Sequence, residues 1–133
     1  PGVKQCMNDC VETAKQKGYT NTMFNRRRYI PEINSTNAMV RKFGERASIN
    51  APLQGSASDI IKLAMLKVDK AIKTQHLKSK LILQIHDELI VDTYPGEEEL
   101  VAKVLKDNMD NVVQLRVPLI AEVNAGKSWF DCK

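Results

Sequence analysis

The chain has 133 residues, 43% of them apolar and 27% charged, which is ordinary globular composition and room enough for one domain with a sizeable core. Collagen-like, mucin-like and disordered classes are excluded on that composition. Twenty basic residues against sixteen acidic ones leave a net charge of +4, which permits a nucleic-acid partner without arguing for one.

The distribution of charge says more than its sum. Arg26, Arg27 and Arg28 form one basic cluster, Arg41, Lys42 and Arg46 a second, and Lys62, Lys67, Lys70, Lys73, Lys78 and Lys80 a third, whereas Glu97, Glu98 and Glu99 make an acidic knot. For the first cluster the ordinary reading is a solvated hairpin. Cys6, Cys10 and Cys132 are an odd number, and the first two lie one helical turn apart, where a disulfide is awkward, so reduced thiols and a cytoplasmic location are expected. No run of eighteen apolar residues, no signal-peptide pattern and no C-x-x-C pair argues for a membrane span, secretion or a structural zinc site. The chain opens on Pro1-Gly2-Val3 and turns helical almost at once, which points to a piece of something longer.

In chain order, Val3, Cys6, Met7, Cys10, Val11 and Ala14 recur at helical spacing, predicting a helix over residues 3–17 that Gly18 stops. Residues 19–24 and 28–30 flank Asn25-Arg26 as a hairpin, with Pro31 closing its second strand. Asn34-Ser35-Thr36-Asn37 supplies candidate caps for a helix to about Ala51, with Val40, Phe43, Ala47 and Ala51 as its apolar stripe. Pro52 lacks a donor and biases Ala51 away from helical angles, so that helix should end or kink there. Ser56 and Asp59 resemble a capping box for a new helix buried through Ala57, Ile60, Ile61, Ala64, Val68, Ala71 and Ile72. Residues 81–91 read as a second hairpin, residues 97–113 as an amphipathic helix with acids in its first turn, and Val117, Leu119, Ala121 and Val123 as a strand that Pro118 confines to an edge. The fold class is therefore α+β: an antiparallel sheet built on the second hairpin and the 117–123 strand, covered on one face by long helices.

Two constellations carry chemistry. His86, Asp87 and Glu88 stand at the tip of the second hairpin, between Leu81-Ile82-Leu83-Gln84-Ile85 and Leu89-Ile90-Val91. Packing gives no reason for two carboxylates and an imidazole there, whereas a divalent cation needs hard oxygen ligands on a rigid element; the plainer reading is an acidic solvated turn. Arg46, Asn50 and Gln54 recur every four residues, so on a continuous helix they fall within roughly 80° of one face. Such a row suits a nucleic-acid minor groove, where acceptors occupy similar places on every base pair; the plainer reading is a solvated helix face.

Taken together the motifs lose their independence. The stretch Glu45-Arg46-Ala47-Ser48-Ile49-Asn50-Ala51-Pro52-Leu53-Gln54-Gly55-Ser56-Ala57-Ser58-Asp59-Ile60-Ile61-Lys62, followed by Gln84-Ile85-His86-Asp87-Glu88-Leu89, closely resembles the C-terminal palm segment of family A DNA polymerases, the bacterial DNA polymerase I type. The resemblance runs from Pro1 to Lys133 and takes in Gly18-Tyr19, Arg26-Arg27-Arg28-Tyr29-Ile30-Pro31, Leu115-Arg116-Val117-Pro118-Leu119 and Trp129.

By that resemblance, Asp87 matches a catalytic aspartate that ligates Mg²⁺, and Glu88 an auxiliary acid beside the metals. His86 matches a residue against the primer terminus; Arg46, Asn50 and Gln54 match primer-template contacts from the minor-groove side, and Arg41 a phosphate contact. The implied activity is nucleotidyl transfer from dNTPs on primer-template DNA, in replication or repair, in the bacterial cytosol. The family's other metal-binding aspartate, in an Asp-Tyr-Ser-Gln-Ile-Glu type motif, and the fingers helix that holds the incoming nucleotide are not in this sequence, and neither is the thumb. None of Asp9, Asp59, Asp69, Asp92, Asp107, Asp110 and Asp131 sits in the right context. The resemblance thus implies an enzyme segment that is inactive without the upstream remainder of the polymerase; the alternative is a non-catalytic module that grips primer-template duplex. Exposed apolar surface would then favour self-association of the isolated chain, which light scattering across concentration tests.

Overall fold

The structure is a computed structural model, and it describes residues 2–132. The chain divides into two compact units, one ending at Asp59 and the other beginning at Ile60.

In the first unit, helix α1 (Gly2–Lys17) ends where predicted, with the Gly18 amide donating to the Ala14 carbonyl at 2.8 Å. Strands β1 (Tyr19–Asn21) and β2 (Arg27–Tyr29) pair antiparallel, with Tyr19 opposite Tyr29. Those two rings meet edge to face at 5.6 Å, and the Arg27 guanidinium lies 4.7 Å from the Tyr19 ring centre. The strands are shorter than the sequence predicts, because the Thr22 hydroxyl accepts the Phe24 and Arg26 amides and converts residues 22–26 into a loop. A single 3₁₀ turn, Pro31–Asn34, leads toward the second helix, and Ala14, Ile30 and Ile33 form a small core with Val11 and Ala47. The turn's backbone comes so close to the second helix that a Cβ on Gly44 would stand 2.8 Å from the Ile33 nitrogen. Only glycine fits there.

Helix α2 (Ala38–Thr74) is one helix of 37 residues, not the predicted two. Asn37 caps it, its Oδ1 accepting the Met39 amide at 2.9 Å, as the polar run at 34–37 suggested. Pro52 lies inside the helix without ending it. The predicted capping box at Ser56 and Asp59 is not formed: the Ser56 hydroxyl donates to the Pro52 carbonyl one turn back, and Asp59 pairs with Arg26 at 2.9 Å. A proline within a helix costs about 3 kcal/mol, and these contacts, with Ser48 and Ala51 buried beside it, offset that cost.

In the second unit, the remainder of α2 buries Ile61, Ala64, Val68 and Ile72 as its stripe predicted, with Ile60 and Ala71 half-buried, whereas Ala57, placed in the same stripe, is exposed. Strands β3 (Lys80–Ile85) and β4 (Glu88–Asp92) form the expected hairpin, with a bulge between Leu81 and Leu83. Its inward residues Leu81, Leu89 and Val91 pack with Val68, Ile72 and Val104, the last from helix α3 (Glu98–Asp110). The fold class stands as α+β, but the sheet takes a different form: among the described residues there are two two-stranded sheets, and residues 117–123 join neither. Side chains of α3 take up that segment's backbone groups instead. The Ala121 amide donates to Asp110 at 2.6 Å, and its carbonyl accepts Lys106 at 2.8 Å.

Glu97 also departs from its predicted place. It stands before α3, where its carboxylate accepts the Lys78 and Ser79 amides, both at 2.9 Å, and the Ser79 hydroxyl at 2.6 Å. The Lys78 amide and then the Ser79 hydroxyl hold its carboxyl below the ordinary value of 4.5. A carboxylate with a lowered folded value contributes stability above the ordinary value and loses it as pH falls through the lowered one. We therefore expect Glu97→Gln to melt below the wild type at neutral pH, with the gap narrowing in acid below the ordinary carboxylate range; thermal melts followed by circular dichroism check this. An equal gap at neutral and acid pH would contradict it.

Candidate functional site

The first unit carries the amide and guanidinium row. Because α2 is continuous through Pro52, Arg46, Asn50 and Gln54 share one exposed face, each turned about 40° from the one before. Arg46 borders a groove with Lys42 and Glu45, whose far wall is Asn8, Glu12 and Lys15 of α1. Arg41 does not belong to this face: it is turned by roughly 140° from Arg46 around the helix. It is half-buried, and its Nη1 donates to the Ser35 carbonyl at 2.9 Å, which ties down the start of α2.

The second unit carries the acidic tip. Ile85 and Glu88 are the last paired residues of β3 and β4, so His86 and Asp87 alone make the turn. His86 has φ +51°, whereas Asp87 is not among the residues of positive φ. A positive φ at only the first of two turn residues is the mark of a type II′ turn, and that place is ordinarily glycine. The Gln84 side-chain amide donates to the His86 carbonyl at 2.7 Å and braces the turn from within. All three tip side chains are exposed, so neither carboxylate bears the cost of burial. The Trp129 indole N–H donates to Glu88 Oε2 at 3.3 Å, which orients one of the two acids.

Among the described residues, no three His, Cys, Asp or Glu side chains come together in a way that could hold a metal ion. Asp87 and Glu88 suit a hard cation by their chemistry, yet alone they are an incomplete ligand set. Sequence reasoning missed the supporting residues Gln84, Trp129 and Arg26. Trp129 stands 41 residues from Glu88 and Arg26 stands 33 from Asp59, separations at which no local pattern signals a contact.

With that geometry in view, comparison with known proteins is decisive. Residues 1–131 match the family described as DNA polymerase family A. This chain belongs to that family. Among its relatives, the DNA polymerase I of Caldicellulosiruptor bescii is 46% identical over 133 residues, covering all of this chain and 16% of the relative. That of Streptococcus pneumoniae is 44% identical over the same span, and that of Mycobacterium tuberculosis 48% identical over 128 residues, 96% of this chain and 14% of the relative. Among solved structures, the polymerase domain of Pol1 from M. smegmatis, in complex with DNA primer-template and dNTP, superposes with a TM-score of 0.92 at 46% identity, over 95% of this chain and 22% of that one. This family A chain therefore spans about a sixth of the length of the first of these relatives. No helix among its described residues is long and apolar enough to cross a membrane.

The turn at His86 generates a prediction of its own. Glycine there relieves a left-handed backbone worth roughly 1–2 kcal/mol while loosening the unfolded chain by about 0.5–1 kcal/mol, so His86→Gly should hold or slightly raise the melting temperature. His86→Val should lower stability by more than about 1 kcal/mol, because a β-branched residue tolerates that φ poorly. Urea unfolding of the two variants separates them, and equal losses would show that the turn is not strained.

Proposed function

We propose that this chain is the C-terminal palm segment of a template-directed DNA polymerase, contributing metal-binding carboxylates and primer-template contacts to nucleotidyl transfer from dNTPs. The observation that carries this reading is the agreement of family with geometry. A chain matched to DNA polymerase family A over residues 1–131 presents Arg46, Asn50 and Gln54 on one unbroken exposed face. The M. smegmatis structure it resembles is a complex with primer-template and dNTP, which supports assigning the same ligands here.

In this reading each residue has a stated task. Asn50 and Gln54 offer amide donors to minor-groove acceptors, which lie in similar places on every base pair and so report duplex shape without reading sequence. Arg46 adds positive charge on the same face, whereas Arg41, turned roughly 140° away and bonded to the Ser35 carbonyl, would have to reach a phosphate from outside that face. Asp87 offers hard oxygen atoms at the end of a rigid hairpin, and Glu88, oriented by Trp129, offers a second carboxylate beside it. Mg²⁺ ions bound by carboxylates supply neutralisation of the charge that builds on the attacking and leaving oxygens of phosphoryl transfer. His86 sits beside Asp87 on the strained turn and faces solvent, where a primer terminus can reach it. The remaining ligands and the nucleotide-binding helix belong to other parts of the polymerase, so this chain alone does not extend a primer.

The test is fluorescence anisotropy of a labelled primer-template duplex titrated with the chain at low and moderate salt. Binding should be salt-sensitive. The Arg46→Ala, Gln54→Ala double variant should bind about ten- to hundredfold more weakly, since each lost contact is worth roughly 1 kcal/mol or more. Binding indifferent to those changes would overturn the reading; primer extension that Asp87→Ala abolishes in the isolated chain would overturn only the statement that this chain alone is inactive.

A further inference from the structure

The loop of residues 22–26 meets α2 at the turn that follows Pro52. There the Met23 amide donates to the Ser56 hydroxyl at 2.9 Å, and that hydroxyl donates in turn to the Pro52 carbonyl. Arg26 spans the same turn: its Nη2 donates to the Gly55 carbonyl at 3.2 Å and its Nε to Asp59 at 2.9 Å. The Asp59 side chain is only 13% exposed while that of Arg26 is 53% exposed, so the pair is shielded on its carboxylate side. The loop is itself braced, with the Thr22 amide donating to the Arg26 carbonyl at 2.9 Å and the Thr22 hydroxyl accepting the Arg26 amide at 3.2 Å. The fit is close enough that a Cβ on Gly55 would stand 2.6 Å from Thr22 Cγ2.

Proline and glycine are the two worst residues for a helix interior, and α2 has both within four positions. Pro52 removes the rung to the Ser48 carbonyl, which leaves the turn before it easier to bend and so lets the turn after it swing. Gly55 leaves room for the loop, and the loop replaces the lost restraint with side-chain bonds. Gln54 lies between these two residues. Its direction relative to Arg46 and Asn50 therefore depends on how that turn is held.

We propose that the 22–26 loop, acting through Arg26 and the Thr22–Gly55 contact, is a positioning device that keeps Gln54 in line with Arg46 and Asn50 for duplex binding. This rests on the reading of that row as a DNA contact. Arg26 is then a positioning residue and not a phosphate ligand, although it belongs to a basic cluster.

Anisotropy titrations of the 133-residue chain with a labelled primer-template duplex test it, with far-UV circular dichroism confirming that each variant folds. Gly55→Ala improves helix propensity, so a purely local role predicts no loss of binding; the clamp predicts binding at least about fivefold weaker with helix content kept or raised. Adding Thr22→Ser, which deletes the clashing methyl and keeps the hydroxyl, should restore affinity to within about twofold. Arg26→Ala should weaken binding without changing its salt slope, whereas loss of a phosphate ligand lowers that slope by about one. Combined with Gln54→Ala, Arg26→Ala should cost little more than Gln54→Ala alone. Full binding by Gly55→Ala, failure of Thr22→Ser to rescue it, a reduced slope for Arg26→Ala, or additive losses would each overturn the inference. Gln54→Ala that binds like the wild type, or a wild-type chain that leaves the duplex free, would instead reject the underlying DNA reading and the inference with it.

Discussion

Everything proposed for the first unit depends on α2 passing through Pro52 without a break. Proline has no N–H to give the carbonyl four residues back, and its ring crowds that carbonyl. A helix that ended there would leave Arg46 and Asn50 on one element and Gln54 on another. Because it continues, the three fall on one face with the four-residue spacing that a groove-tracking surface requires. The continuation is not a property of the local sequence. It is held by the Ser56 hydroxyl, by Arg26, and by the burial of Ser48 and Ala51 on the inner side.

The second unit solves a different problem, that of holding two carboxylates at a fixed place in water. A two-residue turn is the shortest way to close the β3–β4 hairpin, and it leaves Asp87 and Glu88 exposed on a rigid support. The backbone angle at His86 is the cost of putting an imidazole where glycine is at home. Gln84 and Trp129 hold what that turn presents. The apolar faces of the hairpin, α2 and α3 anchor it from below through Val68, Ile72 and Val104. Position is thus set by packing, and chemistry is left to the tip.

How much of this was legible in the sequence follows from the range of the interactions. The extent of α1, the Asn37 cap, the buried stripe of α2 from Ile61 to Ile72 and the hairpin ending at His86 are all set by neighbours within a few positions, and the pattern declares them. The helix end expected at Pro52 does not occur, because the local rule is outweighed by partners some thirty residues earlier, Met23 and Arg26. Residues 117–123 alternate like a strand, yet alternation says nothing about whether a neighbouring edge exists; Asp110 and Lys106 take the backbone groups a ladder would have used. Of the site, the side chains were legible and their supports were not, since Trp129 and Glu88 meet across 41 positions. The family resemblance supplied roles for Asp87 and Gln54 that spacing alone left open.

The most direct test of the central claim, that the α2 face reads the duplex through its minor groove, is an affinity comparison on modified DNA. Primer-template in which the purines nearest the primer end are 3-deaza analogues lacks the minor-groove N3 acceptor, whereas 7-deaza analogues lack a major-groove acceptor. The account predicts that the 3-deaza duplex binds several-fold more weakly than unmodified duplex, that the 7-deaza duplex does not, and that Gln54→Ala narrows the difference, leaving what Asn50 contributes. Equal affinity for all three duplexes, or a loss confined to the 7-deaza one, would contradict it.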